Sequence, residues 1–216
     1  MFQKAVKEAM GFTLPIVSSL LTCSGVCRSG VGTFVVVNDE GWIVTAAHIM
    51  TGLRDLAAAE GQTRAKEAAI AQGSRATRRA SKSAGPAPSD IDKWSVWCGL
   101  SGVSLDNNSI MAIEPVDLAV GKLVNFDASQ ITNYPVFKDP DKDFLPGTSL
   151  CRLGFPFYDV RPSYSATGFT LGNVPLPIFP NEGILSRISE IVLVDPTGKL
   201  ARLIRQRAAE RLASVV

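Results

Sequence analysis

One hairpin, ending in the chain's only histidine, constrains this sequence more than any other feature. Gly32-Thr33-Phe34-Val35-Val36-Val37 and Trp42-Ile43-Val44 are β-branched and aromatic runs, with Asn38-Asp39-Glu40-Gly41 between them. Asn and Asp favour turn starts, and a glycine takes the positive φ that such a loop needs. The second strand runs on into Thr45-Ala46-Ala47-His48, where small residues let backbones pass closely. The imidazole is therefore expected at a strand end. Taken alone, a strand-terminal histidine is most simply satisfied by a backbone carbonyl. It is also the only side chain here that titrates near neutral pH without help, so acid–base chemistry would centre on His48.

Gly30-Val31-Gly32-Thr33-Phe34-Val35-Val36-Val37, followed by Gly41-Trp42-Ile43-Val44-Thr45-Ala46-Ala47-His48, resembles the trypsin-like serine peptidases, nearest the bacterial HtrA-like branch. That resemblance implies a chymotrypsin-type double β-barrel, with His48 as general base. It extends to Asp117-Leu118-Ala119-Val120. An aspartate opening an apolar strand is ordinarily a cap or an edge charge. In the family this motif carries the carboxylate that orients the imidazole, and the order His then Asp is the chymotrypsin-type order. Gly147–Pro156 and Asn181–Ile188 look like strands of the second barrel. The likeness covers roughly residues 12 to 190, with 51–93 excepted.

The nucleophile is missing from this pattern. A peptidase of this type needs Gly-x-Ser-Gly-Gly after the aspartate, because the glycines permit the tight turn that aims two amides at the oxyanion. Ser149 follows Gly147-Thr148 but precedes Leu150-Cys151. Ser163, Ser165, Ser186, Ser189 and Ser214 lack both flanks, and Ser101 comes before Asp117. Cys151 fails as a substitute thiol for the same reason as Ser149. Three explanations stay open: a fragment or truncated reading of a longer peptidase, a complete pseudoenzyme, or an unrecognised serine.

The remaining chain sets the expected frame. An N-terminal helix spans Phe2–Met10, and a first strand covers Thr13–Leu20. The first barrel spans 12–125, with an insertion at 51–93 that is helical from Leu53 to Ala71 and a mobile linker beyond Gly73. Residues 126–145 connect the barrels, 146–194 form a partial second barrel, and 195–216 form a basic amphipathic helix. In that helix Leu200, Leu203, Ile204, Ala208, Leu212 and Val215 recur at helical spacing. The fold class is thus mostly β, a trypsin-like double β-barrel with an incomplete second barrel and flanking helices.

Composition excludes several classes. A net charge of +2 is too small to imply nucleic acid or an acidic membrane as partner. Arg75, Arg78, Arg79 and Lys82 cluster but carry no interleaved aromatic for base stacking, so a solvated loop is the simpler reading. A weaker idea has that loop and the basic C-terminal helix meeting a membrane or nucleic acid. Four cysteines, at 23, 27, 98 and 151, are too few for a disulfide scaffold. Cys23 and Cys27 would pair in an oxidising compartment or half-build a metal site, but no second Cys/His pair follows, so neither metal nor cofactor is expected. No run reaches transmembrane length. Leu20-Leu21-Thr22-Cys23 loosely resembles a lipoprotein attachment site, but Glu8 and Pro15 spoil a signal peptide, so a cytoplasmic location is expected.

The functional expectation is a serine endopeptidase lineage acting on polypeptide through His48 and Asp117, inactive or truncated in this chain. The alternative is a non-catalytic pseudopeptidase that binds peptide or protein.

Overall fold

A computed structural model describes residues 2–71, 90–139, 142–143, 145–156, 159–172, 174–194 and 200–211, with side chains as far as Ser186. Its element order is α1 (Gln3–Ala9), β1 (Thr13–Thr22), β2 (Cys27–Val36), β3 (Trp42–Thr45), α2 (Ala47–Ala71), β4 (Ile91–Trp97), β5 (Ser104–Ile113) and β6 (Leu118–Val124). These are followed by β7 (Ser149–Gly154), β8 (Arg161–Ser165), β9 (Gly168–Gly172), β10 (Phe179–Val194) and β11 (Leu200–Arg211). The chain is mostly β, as its alternating apolar runs require.

The first six strands make one antiparallel sheet in the order β4-β1-β2-β3-β6-β5. The β2–β3 hairpin forms where the sequence placed it. Asn38 Oδ1 accepts from Trp42 N at 3.1 Å, and Gly41 takes φ +79° in the turn. A side chain at Gly41 would also collide with the Phe126 ring, so space and backbone both demand glycine there. Pairing Phe34 with Thr45 and Val36 with Ile43 sends Phe34, Val36 and Ile43 into the core, all completely buried. They pack with Ile16, Ala119, Leu123 and Cys98. Truncating Phe34 to alanine would cost about 3–5 kcal/mol, lost transfer energy plus the cavity left behind.

Helix α2 starts at Ala47, earlier than expected. His48 therefore lies in the first turn of a helix rather than at a strand end, and the excursion from the sheet begins before residue 51. Ala47, Met50 and Leu53 are buried and Leu56 is half-buried, a stripe at every third residue that seats the N-terminal half of α2. Most of the second half is exposed. It is held by buried Thr63 and by ion pairs of Arg64 with Glu60 at 2.8 Å and of Lys66 with Asp90 at 3.2 Å, while Gly61 costs it about 1 kcal/mol relative to alanine. The cluster Arg75, Arg78, Arg79 and Lys82 lies outside the described residues.

The region after β6 is an extended connection that reaches back to α1, where Asn133 Nδ2 donates to the Glu8 carbonyl at 3.0 Å. Beyond it, β7, β10 and β11 form a three-stranded antiparallel sheet in the order β11-β10-β7, and β8–β9 form a separate hairpin. That hairpin has no counterpart in the sequence reading. It docks on the first sheet through Ser29, whose Oγ donates to the Val160 carbonyl at 3.0 Å.

The expected C-terminal helix is corrected to a strand. Leu200–Arg211 is β11, antiparallel to β10 and paired from Val194↔Leu200 to Gly183↔Arg211. Beyond Ile184, β10 has no partner in β7, so its backbone groups need another strand. The five residues Asp195-Pro196-Thr197-Gly198-Lys199 that link β10 to β11 have hairpin-loop composition. The helical spacing of leucines was the weaker of two signals.

Among the described residues no helix is long and apolar enough to cross a membrane. Cys23 lies just past β1, and the four cysteines are free thiols. A chain processed at Cys23 would lose β1, which pairs with β2 and β4 and carries buried Ile16 and Val17.

Candidate active site

β3 delivers the chain to Ala47 and α2 begins at once, so His48 stands at the top of the sheet. β6 lies beside β3 with Thr45 opposite Ala119, which brings the residues just before β6 alongside the start of α2. Glu114–Val116 make one 3-10 turn, and Asp117 closes it with φ 49° and ψ 44°. Aspartate tolerates this left-handed conformation better than most side chains. The turn is fixed by Asp117 N donating to the Glu114 carbonyl at 2.9 Å.

The geometry between His48 and Asp117 is tight. His48 Nδ1 is 2.8 Å from Asp117 Oδ2 and 3.0 Å from Oδ1, and the His48 backbone N–H donates to Oδ1 at 2.9 Å. That amide, more than any other group, holds the Asp117 carboxyl below its ordinary value. The imidazole contact and the Ala47 amide push the same way. An ionised carboxylate only accepts, so Nδ1 carries the proton. That tautomer leaves Nε2 as the acceptor. The pair is open to solvent, with side chains 72% and 54% exposed.

His48 and Asp117 line a cleft of about 660 Å³. One wall is Val31, Gly32 and Thr33 of β2 with Ile49. The other is Arg152–Pro156 with Phe179–Asn181. Gly154 joins the walls, because a Cβ there would come 3.2 Å from Thr33 Oγ1.

No family model matches this chain, and no curated protein sequence matches it. Among solved structures it is similar to the active form of the Rv3671c protease from M. tuberculosis, at 11% identity and a TM-score of 0.36. The match covers 95% of this chain and 60% of that one, so this chain spans less than two thirds of that protein's length. Similarity at that level assigns no activity and no residue roles.

The structure brings His48 and Asp117 together and adds no serine to their cleft. Among the described residues lining it, none is a serine or a cysteine. Ser163 shares a hydrogen bond with Thr170 at 2.8 Å, and Ser165 with Thr167 at 2.8 Å, both on the β8–β9 hairpin. Ser214 lies outside the described residues. An apolar groove of about 470 Å³, also touching His48, holds Ser18 and Ser29. Their hydroxyls donate to the carbonyls of Gly30 at 3.5 Å and Val160 at 3.0 Å, which turns their protons away from a base. Cys151 belongs to a different hollow, beside α1, and its thiol is pushed up by burial and then by Glu182. Among the described residues no three His, Cys, Asp or Glu stand together as a metal site.

Arg152 and Asn181 were not anticipated. They face each other in the β7–β10 register and both line the cleft. Only that cross-strand pairing singles them out, and it cannot be seen in either segment alone.

Proposed function

We propose that this chain belongs to a trypsin-like serine endopeptidase lineage and retains two members of a His-Asp-Ser triad. His48 is the general base, and Asp117 orients it and stabilises its charged form. The observation that carries this reading is the Nδ1 contact at 2.8 Å, reinforced by the His48 amide. A hydroxyl placed at Nε2 would pass its proton to the ring as it attacked a peptide carbonyl, and the resulting imidazolium would sit against an ionised carboxylate. No Gly-x-Ser-Gly-Gly follows Asp117 in this sequence, which favours a chain that is inactive or truncated over one with an unrecognised serine.

A second reading has the same cleft hold polypeptide without cleaving it. It is favoured by a lining that holds no serine among the described residues and by β7, which stands at the end of its sheet order. A cytoplasmic setting belongs to both readings.

A fluorophosphonate probe separates them. We expect no labelling of the 216-residue chain. Labelling that vanishes in His48→Ala would mean a working triad with a serine not recognised here. The intact mass of the native protein then decides between fragment and pseudoenzyme. A mass well above 23.0 kDa would mark this chain as part of a longer protein whose remainder should carry the nucleophile, and a matching mass would leave the triad incomplete and put the peptide-binding reading first.

A further inference from the structure

We propose that the His48–Asp117 cleft selects an extended polypeptide bearing an acidic side chain, with Arg152 as the residue that grips the carboxylate. This rests on the reading of the cleft as a polypeptide site and adds what it prefers.

Three observations converge. The first is charge. Arg152 is exposed, lines the cleft, and makes no ion pair or hydrogen bond among the described residues. Of the neighbouring carboxylates, Asp117 is engaged by His48, and Glu182 lines the hollow beside α1 and not the cleft. The guanidinium therefore stands as an open fork, the geometry that takes a carboxylate by two parallel hydrogen bonds. Asn181 lies opposite Arg152 in register and adds an amide donor on the same rim.

The second is the backbone. β7 pairs with β10 and stands at the end of its sheet order, and the consecutive residues Arg152, Leu153, Gly154, Phe155 and Pro156 line the cleft. Lining by successive residues exposes main chain as well as alternate side chains, which suits an added strand.

The third is position. Arg152 and Asn181 are exposed at the rim, not enclosed in a nest, so a chain can pass through with a side chain on Arg152. Asp117 lines the same cleft and would repel a second carboxylate placed near it, which leaves the Arg152 end as the place for an acid.

The test is fluorescence anisotropy with four labelled octapeptides, three of them amidated at the C-terminus. Those three carry Glu, Gln or Lys at one central position in an otherwise apolar sequence. The fourth has Gln at that position and a free C-terminal carboxylate. We expect the Glu peptide to bind about fivefold or more tighter than the Gln peptide, as an exposed charge-assisted pair allows, and the Lys peptide to bind weakest. Arg152→Gln should abolish the Glu preference while leaving Gln-peptide binding in place, and Arg64→Gln, on the exposed second half of α2, should leave the preference intact. Equal binding of Glu and Gln peptides, or a Glu preference that survives Arg152→Gln, overturns the proposal while the polypeptide reading stands. So does a preference confined to the free-carboxylate peptide. Binding of none of the four overturns both. No hydrolysis is needed for any arm.

Discussion

Gly32 lacks a side chain exactly where Ile49 fills the space: a Cβ on Gly32 would run into Ile49 Cδ1 and come 3.1 Å from Ile16 Cγ2. Ile49 follows His48 in the first turn of α2, so this contact sets how closely the helix approaches β2. Gly32→Ala should therefore act as overpacking and destabilise the fold by about 1–3 kcal/mol. Urea denaturation measures the loss. A variant as stable as the parent would mean that Ile49 yields freely and does not position the imidazole.

The Asp117 carboxyl supplies a pH prediction. Its folded value lies below the usual 3.8, so it contributes stability above that value, which is lost as pH falls through the folded value. The largest cause is the His48 backbone amide, which substitution of the side chain leaves in place. In His48→Ala the carboxyl should thus stay below 3.8 while moving part of the way back. Carbon-detected NMR titration of Asp117 in both proteins reads this directly. Full return to the ordinary value would mean that the imidazole alone sets the charge.

Tyr134 packs against the core, yet its buried Oη has no hydrogen-bond partner among the described residues. Burial raises its phenol, with a smaller push from Asp39. Removing a hydroxyl that makes no bond is expected to relieve a desolvation cost, so Tyr134→Phe should stabilise the fold by about 1 kcal/mol. A lower denaturation midpoint would show that the hydroxyl holds a partner, such as a bound water.

Cys98 is 1% exposed, and burial pushes its thiol up to about 11. Below 9.0 the thiol is neutral folded or unfolded. Above 9.0 the unfolded chain gains an ionised thiol that the folded one resists, so this contribution to stability falls as pH rises. Native alkylation followed by mass spectrometry should modify Cys98 only at the rate of global unfolding, while half-buried Cys27 reacts sooner. Equal rates would mean that β4 opens locally.

Much of the first sheet was legible because its information is local. Asn38 and Gly41 between alternating apolar runs define a turn and a register with no reference to the rest of the chain. The contact of Asp117 with His48 could be anticipated only through the resemblance of the two segments to one family, and its left-handed backbone gave no sign in composition. The start of α2 was misplaced because its first amides are satisfied by a carboxylate 69 residues away. The C-terminal segment was misread because Leu200, Leu203 and Ile204 fit a helical stripe, whereas the decisive fact was the unpaired length of β10. Arg152 and Asn181 become a pair only through that same sheet.

Asp117 also has a second employment. The carboxylate that holds the imidazole receives the His48 amide, and the Ala47 amide turns toward it too, so it caps the first turn of α2 from across the fold. Discarding it would uncap a 25-residue helix as well as free a ring. The dyad is therefore insured by architecture. Both residues serve the fold whether or not they do chemistry, so their presence in a sequence is weaker testimony to catalysis than it looks.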